Sequence, residues 1–307
     1  MSSPVLSQRK LPVEDARLQL PKSRLTADLA DAQLDDPVRK PVMSDTSQPA
    51  RRTPTVAQLL DAVRFLTILP VPNAETAPAP DWLTRAMTFF PVVGVGIGVI
   101  AASVFVLGQS LFGPTLAALL AITASIAVTG ALHEDGLADS IDAFGGGWTI
   151  ERRLEIMKDS RIGTYGTLAL GLGVALRVAA LALLPLWAAL AALVACHAAA
   201  RATPGFVTRK LNYAGNISGM KVNYADAPMR KDELVLVLIA VGLAALPLLL
   251  VSPIALIAGL GLGAVLAAGM AAWSKRLIGG YTGDVLGATE QMFEIGFLLG
   301  VAAVLAV

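Results

Sequence analysis

Asp135, Asp139 and Asp142 stand at i, i+4 and i+7 in the stretch HEDGLADSIDAFGGG, which begins at His133. On a helix this spacing projects all three carboxylates from nearly one azimuth, and Gly146 leaves room beside them. Carboxylates this close repel one another unless a positive group joins them. Their hard oxygens suit Mg²⁺ or Mn²⁺, and the lack of a Cys/His cluster argues against zinc. The competing reading is a solvated acidic helix end. Against it, the stripe is one-sided and flanked by glycines, and it follows a run, 89–132, without one Asp, Glu, Lys or Arg. On a continuous helix His133 points roughly away from the aspartates, and Glu134 also lies off their face. His133 is a candidate general base or an interfacial hydrogen-bonding residue.

Two further stretches complement the first. In RRLEIMKDSRIGTYG, from Arg152, the residues Ile150, Leu154 and Met157 make an apolar stripe for a short helix resting on a membrane. Lys158, Asp159, Ser160 and Arg161 then run into Gly163-Thr164-Tyr165-Gly166. Cations, a hydroxyl and glycines before a helix start suit an anion. An ordinary basic loop accounts for Lys158 and Arg161, but not for their company with Asp159 and two glycines. In GGYTGDVLGATEQMFE, Asp284 sits between Gly283 and Gly287, and Glu290 and Glu294 are one turn apart. This is a second acidic patch, for a metal, a cationic group or the chain's own Arg and Lys. Arg177 lies inside an apolar run and requires a partner or a wet cavity. His197 and Arg201 are four apart, with Arg201 near enough to a span end to snorkel. Carboxylates for a divalent cation and cations for phosphate, on one side, fit phosphoryl transfer or diphosphate chemistry.

The elements that must hold these groups are apolar. Of 307 residues, 55% are hydrophobic and only 15% charged, against about 25% charged in soluble domains; mean hydropathy is +0.66. The fold class is all-α, a polytopic integral membrane helical bundle of about seven spans with short cytoplasmic interfacial helices. The expected spans are 88–108, 114–134, 166–184, 186–204, 233–251, 254–273 and 289–307. Residues 1–55 read as a disordered tail without a secretory signal, and Met43 is an alternative start. Residues 56–307 form the membrane-embedded catalytic domain. Its first helix, within TVAQLLDAVRFLTILPVP, puts Val56, Leu59, Leu60, Val63 and Leu66 on one face and ends at Pro70 and Pro72.

Connections near Gly108–Pro114, Pro185 and Ser252–Pro253 carry no Lys or Arg. The others carry Arg152, Arg153, Lys158 and Arg161, then Arg209, Lys210, Lys221, Arg230 and Lys231, then Lys275 and Arg276. Arg51, Arg52, Arg64 and Arg85 precede them. Seven spans make this alternation regular, with the N-terminus cytoplasmic and the C-terminus outside. No basic tract suggests nucleic acid. Cys196 reads as a core residue. Gly94/Gly98 and Gly259/Gly263 read as helix-packing pairs in lipid.

Five stretches together resemble the cobalamin synthase family, adenosylcobinamide-GDP ribazoletransferase. They are FLTILPVP from Phe65, FPVVGVGIG from Phe90, HEDGLADSIDAFGGG from His133, IMKDSRIGTYG from Ile156 and GGYTGDVLGATEQ from Gly279. The resemblance runs from about Leu59 to the C-terminus. It implies a membrane enzyme of the bacterial inner membrane that joins adenosylcobinamide-GDP to α-ribazole, or its 5′-phosphate, releases GMP and requires Mg²⁺. On that implication Asp135, Asp139 and Asp142 hold metal on the diphosphate, and Lys158 and Arg161 offset its charge. Asp159, Asp284 or His133 orients or deprotonates the attacking hydroxyl. Ser160, Gly163, Thr164, Arg201, Gly283 and Glu290 join the substrate and phosphate contacts. The oligomeric state stays open. A second reading is a CDP-alcohol phosphotransferase, but Ala138 precedes Asp139 where those enzymes have Arg, and their later Gly-xxx-Asp-xxx-Asp is missing. A transporter would need charges deep in several spans, where Arg177 is nearly alone.

Overall fold

The computed structural model describes residues 55–72, 81–215 and 229–306. The tail expected over 1–55 lies outside them except for Thr55, as do Arg51, Arg52 and Lys221. The described residues form helices α1 (Val56–Leu66), α2 (Trp82–Ala86), α3 (Phe90–Phe112), α4 (Pro114–Thr129), α5 (Leu132–Gly146), α6 (Ile150–Ile156), α7 (Thr164–Ala182), α8 (Leu186–Ala200), α9 (Thr203–Lys210), α10 (Lys231–Val251), α11 (Pro253–Ile278) and α12 (Gly283–Leu305). A 3₁₀ turn, Met87–Phe89, links α2 to α3. The one β contact among them is an isolated bridge between Tyr213 and Tyr281.

Six segments are long and apolar enough to cross a membrane, and α4 with α5 adds a seventh if that bent pair is counted as one. Local chemistry sets their ends. Pro114 and Pro253 occupy first helical turns, where a missing N–H costs nothing. Thr282 and Ser252 cap α12 and α11 through the backbone N–H groups of Val285 and Ala255. The bundle is arranged inside out for water. Helices α8 and α12 are mostly enclosed. By contrast α10 and α11 expose Leu243, Leu250, Ile254, Ile257 and Val265, the face expected toward lipid.

The glycine pairs act as packing contacts. A side chain at Gly98 would meet the Val194 backbone of α8 at 2.7 Å. At Gly263 it would meet the Phe293 carbonyl of α12 at 3.0 Å. The loss of side chains there lets backbones approach closely.

Two boundaries differ from the hydropathy reading. The expected span 114–134 stops at Thr129, and α5 leaves α4 at 90°. Gly130 (φ 61°) and Ala131 (φ 60°) are both left-handed and turn the chain. The amide of Ile68 donates to the Val128 carbonyl at 2.9 Å, tying the segment after α1 to this corner. Helix α5 is therefore the more polar arm of this bent pair rather than a straight continuation of α4. The last span begins at Gly283 rather than 289, which puts Asp284, Glu290 and Glu294 on one continuous helix.

Candidate active site

Helices α5 and α12 bring the two acidic stretches together. Gly136 is the contact point: a side chain there would meet the Asp284 carbonyl at 2.6 Å. The strongest charges acting on Asp139 are those of Asp135, Asp284, Asp142 and Asp159, all carboxylates. Asp135 is exposed, while Asp139 and Asp284 are half-buried. Burial and then these neighbours push the Asp139 carboxyl up to about 7. Gly136→Ala is expected to move α12 off α5 by tenths of an ångström and lower turnover at least about 10-fold, because placement errors of that size are costly in catalysis. Steady-state rates beside an unfolding curve check this, and an unchanged rate would show that the Asp135–Asp284 spacing does not matter.

Asp142 does something other than its two companions. Its Oδ2 accepts from the Gly163 amide at 2.7 Å, and its Oδ1 accepts from the Gly166 amide at 2.8 Å. A carboxylate on α5 thus fills the N-terminus of α7, where free N–H groups and the helix dipole favour negative charge. The glycines of GTYG make room for it: a side chain at Gly163 would strike Asp142 Oδ1 at 2.5 Å. Gly163 gives its amide to Asp142, and each Asp142 oxygen already accepts one N–H, which makes this carboxylate less free than Asp135 or Asp139. Asp142→Asn replaces one acceptor by a donor facing an amide, so a loss of about 1–3 kcal/mol is expected. Thermal unfolding of detergent-solubilised protein measures it.

The rest of the KDSR segment is at the surface. Arg161 donates from Nε and Nη2 to Asp159 at 3.0 and 2.6 Å, and its amide donates to Oδ1 of the same residue at 3.1 Å. Those hydrogen bonds from Arg161 hold the Asp159 carboxyl down to about 2, which makes it a poor base. Lys158, Ser160 and Thr164 are exposed, and Lys158 makes no ion pair among the described residues. The repulsion of Asp139 by Asp159 shows that this segment lies beside the acidic cluster. Arg153 pins the helix before it, donating to the Leu277 carbonyl at 2.9 Å.

Behind the cluster runs a buried ionic network. Arg177 donates to Glu294 Oε2 at 2.8 Å and to Glu134 Oε1 at 3.1 Å. His197 Nδ1 is 3.0 Å from Glu294 Oε1, and Arg201 is paired with the same oxygen. Arg201 Nε lies 3.5 Å from Glu290 Oε2, and His133 Nε2 lies 2.9 Å from that oxygen. All seven residues are buried. Arg177 thus has its partners, and Glu134 has a role its position off the aspartate face did not reveal. Arg201 and Glu290, expected among substrate contacts, are engaged with these neighbours.

Glu290 and His133 also line a cavity of about 120 Å³, together with Asp135, Gly283 and Asp284. His133 Nε2 faces Glu290 Oε2, whereas its Nδ1 completes no hydrogen bond among the described residues. His133 lies at the second position of α5 and faces α12, as the break at Gly130–Ala131 requires. The apolar lining, including Phe65 and Phe90, is a part of the site that residue spacing did not disclose. Its sequence signals were the FLTILPVP and FPVVGVGIG stretches.

No three His, Cys, Asp or Glu side chains among the described residues enclose a metal site. The donor set nevertheless fits Mg²⁺. That ion keeps several waters and is commonly bound by one or two carboxylates plus substrate phosphates rather than by a protein cage. Asp135, Asp139 and Asp284 offer such oxygens, and the mutual repulsion at Asp139 is the kind that a divalent cation relieves.

The family described as Cobalamin-5-phosphate synthase matches residues 58–302. The chain is 40% identical over 247 residues to a protein of Shewanella frigidimarina, covering 79% of this chain and 93% of that one. It is 43% identical over 251 residues to one of Bradyrhizobium diazoefficiens (81% and 94%), and 42% identical over 265 residues to one of Azorhizobium caulinodans (82% and 97%). All three are named adenosylcobinamide-GDP ribazoletransferase. No solved structure matches the chain. A family model matched over residues 58–302, with these relatives aligned over most of both chains, places the chain in the cobalamin-5-phosphate synthase family.

Proposed function

We propose that this chain joins adenosylcobinamide-GDP to α-ribazole, or to α-ribazole 5′-phosphate, giving adenosylcobalamin or its 5′-phosphate and GMP, in a Mg²⁺-dependent reaction. The observation that carries it is the meeting of Asp135, Asp139 and Asp284 between α5 and α12, beside a cavity and within reach of the charge on Asp159, next to the exposed Lys158 in sequence. Asp135, Asp139 and Asp284 would hold the metal, which supplies neutralisation of charge on the diphosphate. Asp142 keeps α7 docked on α5 and so fixes the height of the Lys158–Arg161 segment. Lys158 balances charge on the phosphate oxygens, with Arg161 held in place by Asp159.

In the reaction a ribose hydroxyl of the ribazole attacks the phosphorus that bears the cobinamide. A new P–O bond forms, the bond from that phosphorus to the GMP oxygen breaks, and GMP leaves with the other phosphate. The hydroxyl proton passes to the unprotonated ring nitrogen of His133, which lines the cavity beside Asp135 and Asp284. Asp159 is unsuited to that task because Arg161 holds its carboxyl down to about 2, which leaves it too weak a base. The alternation of neutral and basic connections supports a site on the cytoplasmic side of the inner membrane, with the N-terminus in and the C-terminus out.

Purified protein in detergent tests this directly. GMP is expected only when both substrates and Mg²⁺ are present, with loss on chelation and recovery on Mg²⁺ return. CMP release from CDP-alcohol donors, without GMP release from the cobinamide substrate, would replace this reading with a phosphotransferase of the other class.

A further inference from the structure

Two contacts hold the start of α12. The Asp284 carbonyl lies against Gly136 of α5. The connection after α9, residues 212–214, runs parallel to the turn that opens α12. The Tyr281 amide donates to the Asn212 carbonyl at 3.0 Å, and the Ala214 amide donates to the Tyr281 carbonyl at 2.8 Å. A surface connection could give these groups to water. Instead the one β contact among the described residues sits where a helix bearing an acidic site residue begins.

The residues around this bridge lock one another. A side chain at Gly280 would strike the Asn212 carbonyl, and Ser274 Oγ donates to the Gly280 carbonyl at 2.5 Å. The Tyr213 ring stands edge-on to that of Tyr281, with centroids 5.6 Å apart and planes at 81°. Tyr281 is only 2% exposed and belongs to the apolar cluster of Ile278, Val285 and Leu286. The next residue, Thr282, accepts from the Val285 amide at 3.3 Å, and its hydroxyl lies 3.5 Å from Asp284 Oδ2. Burial and then the charge of Asp284 raise the Tyr213 hydroxyl above its ordinary value, so the ring and that carboxylate share one locality.

We infer that Tyr213 is a positioning residue for Asp284. Its ring and the strap of residues 212–214 hold Tyr281. Tyr281 and Thr282 set where α12 starts, and that start sets the reach of Asp284 toward Asp135 and Asp139. The inference rests on the proposed role of these three carboxylates in holding a divalent cation. It concerns the protein's grip on that cation, so binding tests it apart from turnover. Outer partners that orient ligands are worth about 10–100-fold in metal affinity.

Mn²⁺ binding to the full-length protein in detergent tests it, since the same hard oxygens take Mn²⁺ and the ion's paramagnetic resonance signal reads how much stays free. Tyr213→Ala removes the ring, and Gly280→Ala pushes the Asn212 carbonyl away. Each is expected to weaken Mn²⁺ binding about 10-fold, with Tyr213→Phe within about twofold of wild type. GMP release by Tyr213→Ala should fall at low Mg²⁺ and recover at saturating Mg²⁺, whereas a merely misfolded variant would lose rate at every concentration. If one variant fails to fold, the other decides. Unmoved Mn²⁺ affinity in the folded variants would overturn the inference and, with GMP released by wild type, leave the reaction standing. Weaker binding in the variants, beside a wild type that binds Mn²⁺ but releases no GMP, would keep the positioning role and remove the reaction. Wild type that binds no Mn²⁺ would overturn the inference as well. A Tyr213→Phe protein as weak as Tyr213→Ala would make the hydroxyl a direct contact and overturn positioning through Tyr281.

Discussion

Asp139→Asn is expected to lower GMP release by more than about 100-fold and, in the same protein, to leave the fold intact or make it more stable. The first half follows from the donor set. Losing even an outer partner of a metal site costs about 10–100-fold, and Asp139 is the most central of the open carboxylates. The second half follows from its surroundings. Asp135, Asp284, Asp142 and Asp159 all oppose its charge, and burial opposes it further, so its carboxyl is held at about 7 rather than near 4. An acid whose folded value is raised penalises the fold once pH passes its unfolded value, and the penalty grows until the folded value is passed. The amide removes that penalty. The gain should therefore be largest above pH 7, shrink between 7 and 4, and vanish below. Mg²⁺ should raise the unfolding temperature of wild type and do less for the variant. A variant that is both inactive and less stable at pH 8 would mean that Asp139 is a structural residue. Near-normal GMP release would remove it from the mechanism.

Much of this site was legible in residue types and spacing, for physical reasons that also mark where legibility stops. The i, i+4, i+7 aspartates sit on one helix because a local period needs no tertiary knowledge. The spans were visible because lipid demands a length and a composition. The corner at Gly130–Ala131 was not, because an alanine with positive φ has no signal in an apolar run. It is set by packing around Ile68 and the Val128 carbonyl. Nor could spacing say that Asp142 would reach the amides of Gly163 and Gly166. A glycine-rich helix start looks the same whether it is filled by phosphate or by a carboxylate from another helix. Arg177 announced its need for a partner, but Glu134 and Glu294 are 43 and 117 residues away.

That distant pairing gives the largest expected stability effect. Glu294 is the hub of the buried network: one oxygen faces Arg177, and the other faces His197 and Arg201. It joins α7, α8 and α12 through charge where these helices otherwise meet through small residues. Glu294→Ala would strand two guanidiniums in the least polar part of the bundle, leaving only Glu134 and Glu290 to offset them. Breaking a buried pair from one side costs about 3–5 kcal/mol, enough to deplete the folded protein in membranes. The pair as a whole is worth much less, since both ions gave up water to form it. Arg177→Met in the Glu294→Ala background should therefore cost less than the two single changes added together. A coupling energy of about 1–3 kcal/mol is expected, read from denaturant or thermal unfolding of all four proteins in one detergent. Strict additivity would mean that the two side chains are held by their other neighbours, and that the network is a set of independent pairs. The expected coupling would also separate this layer from the chemistry above it. Variants here should lose folded protein in proportion to activity, whereas Asp139→Asn loses activity alone.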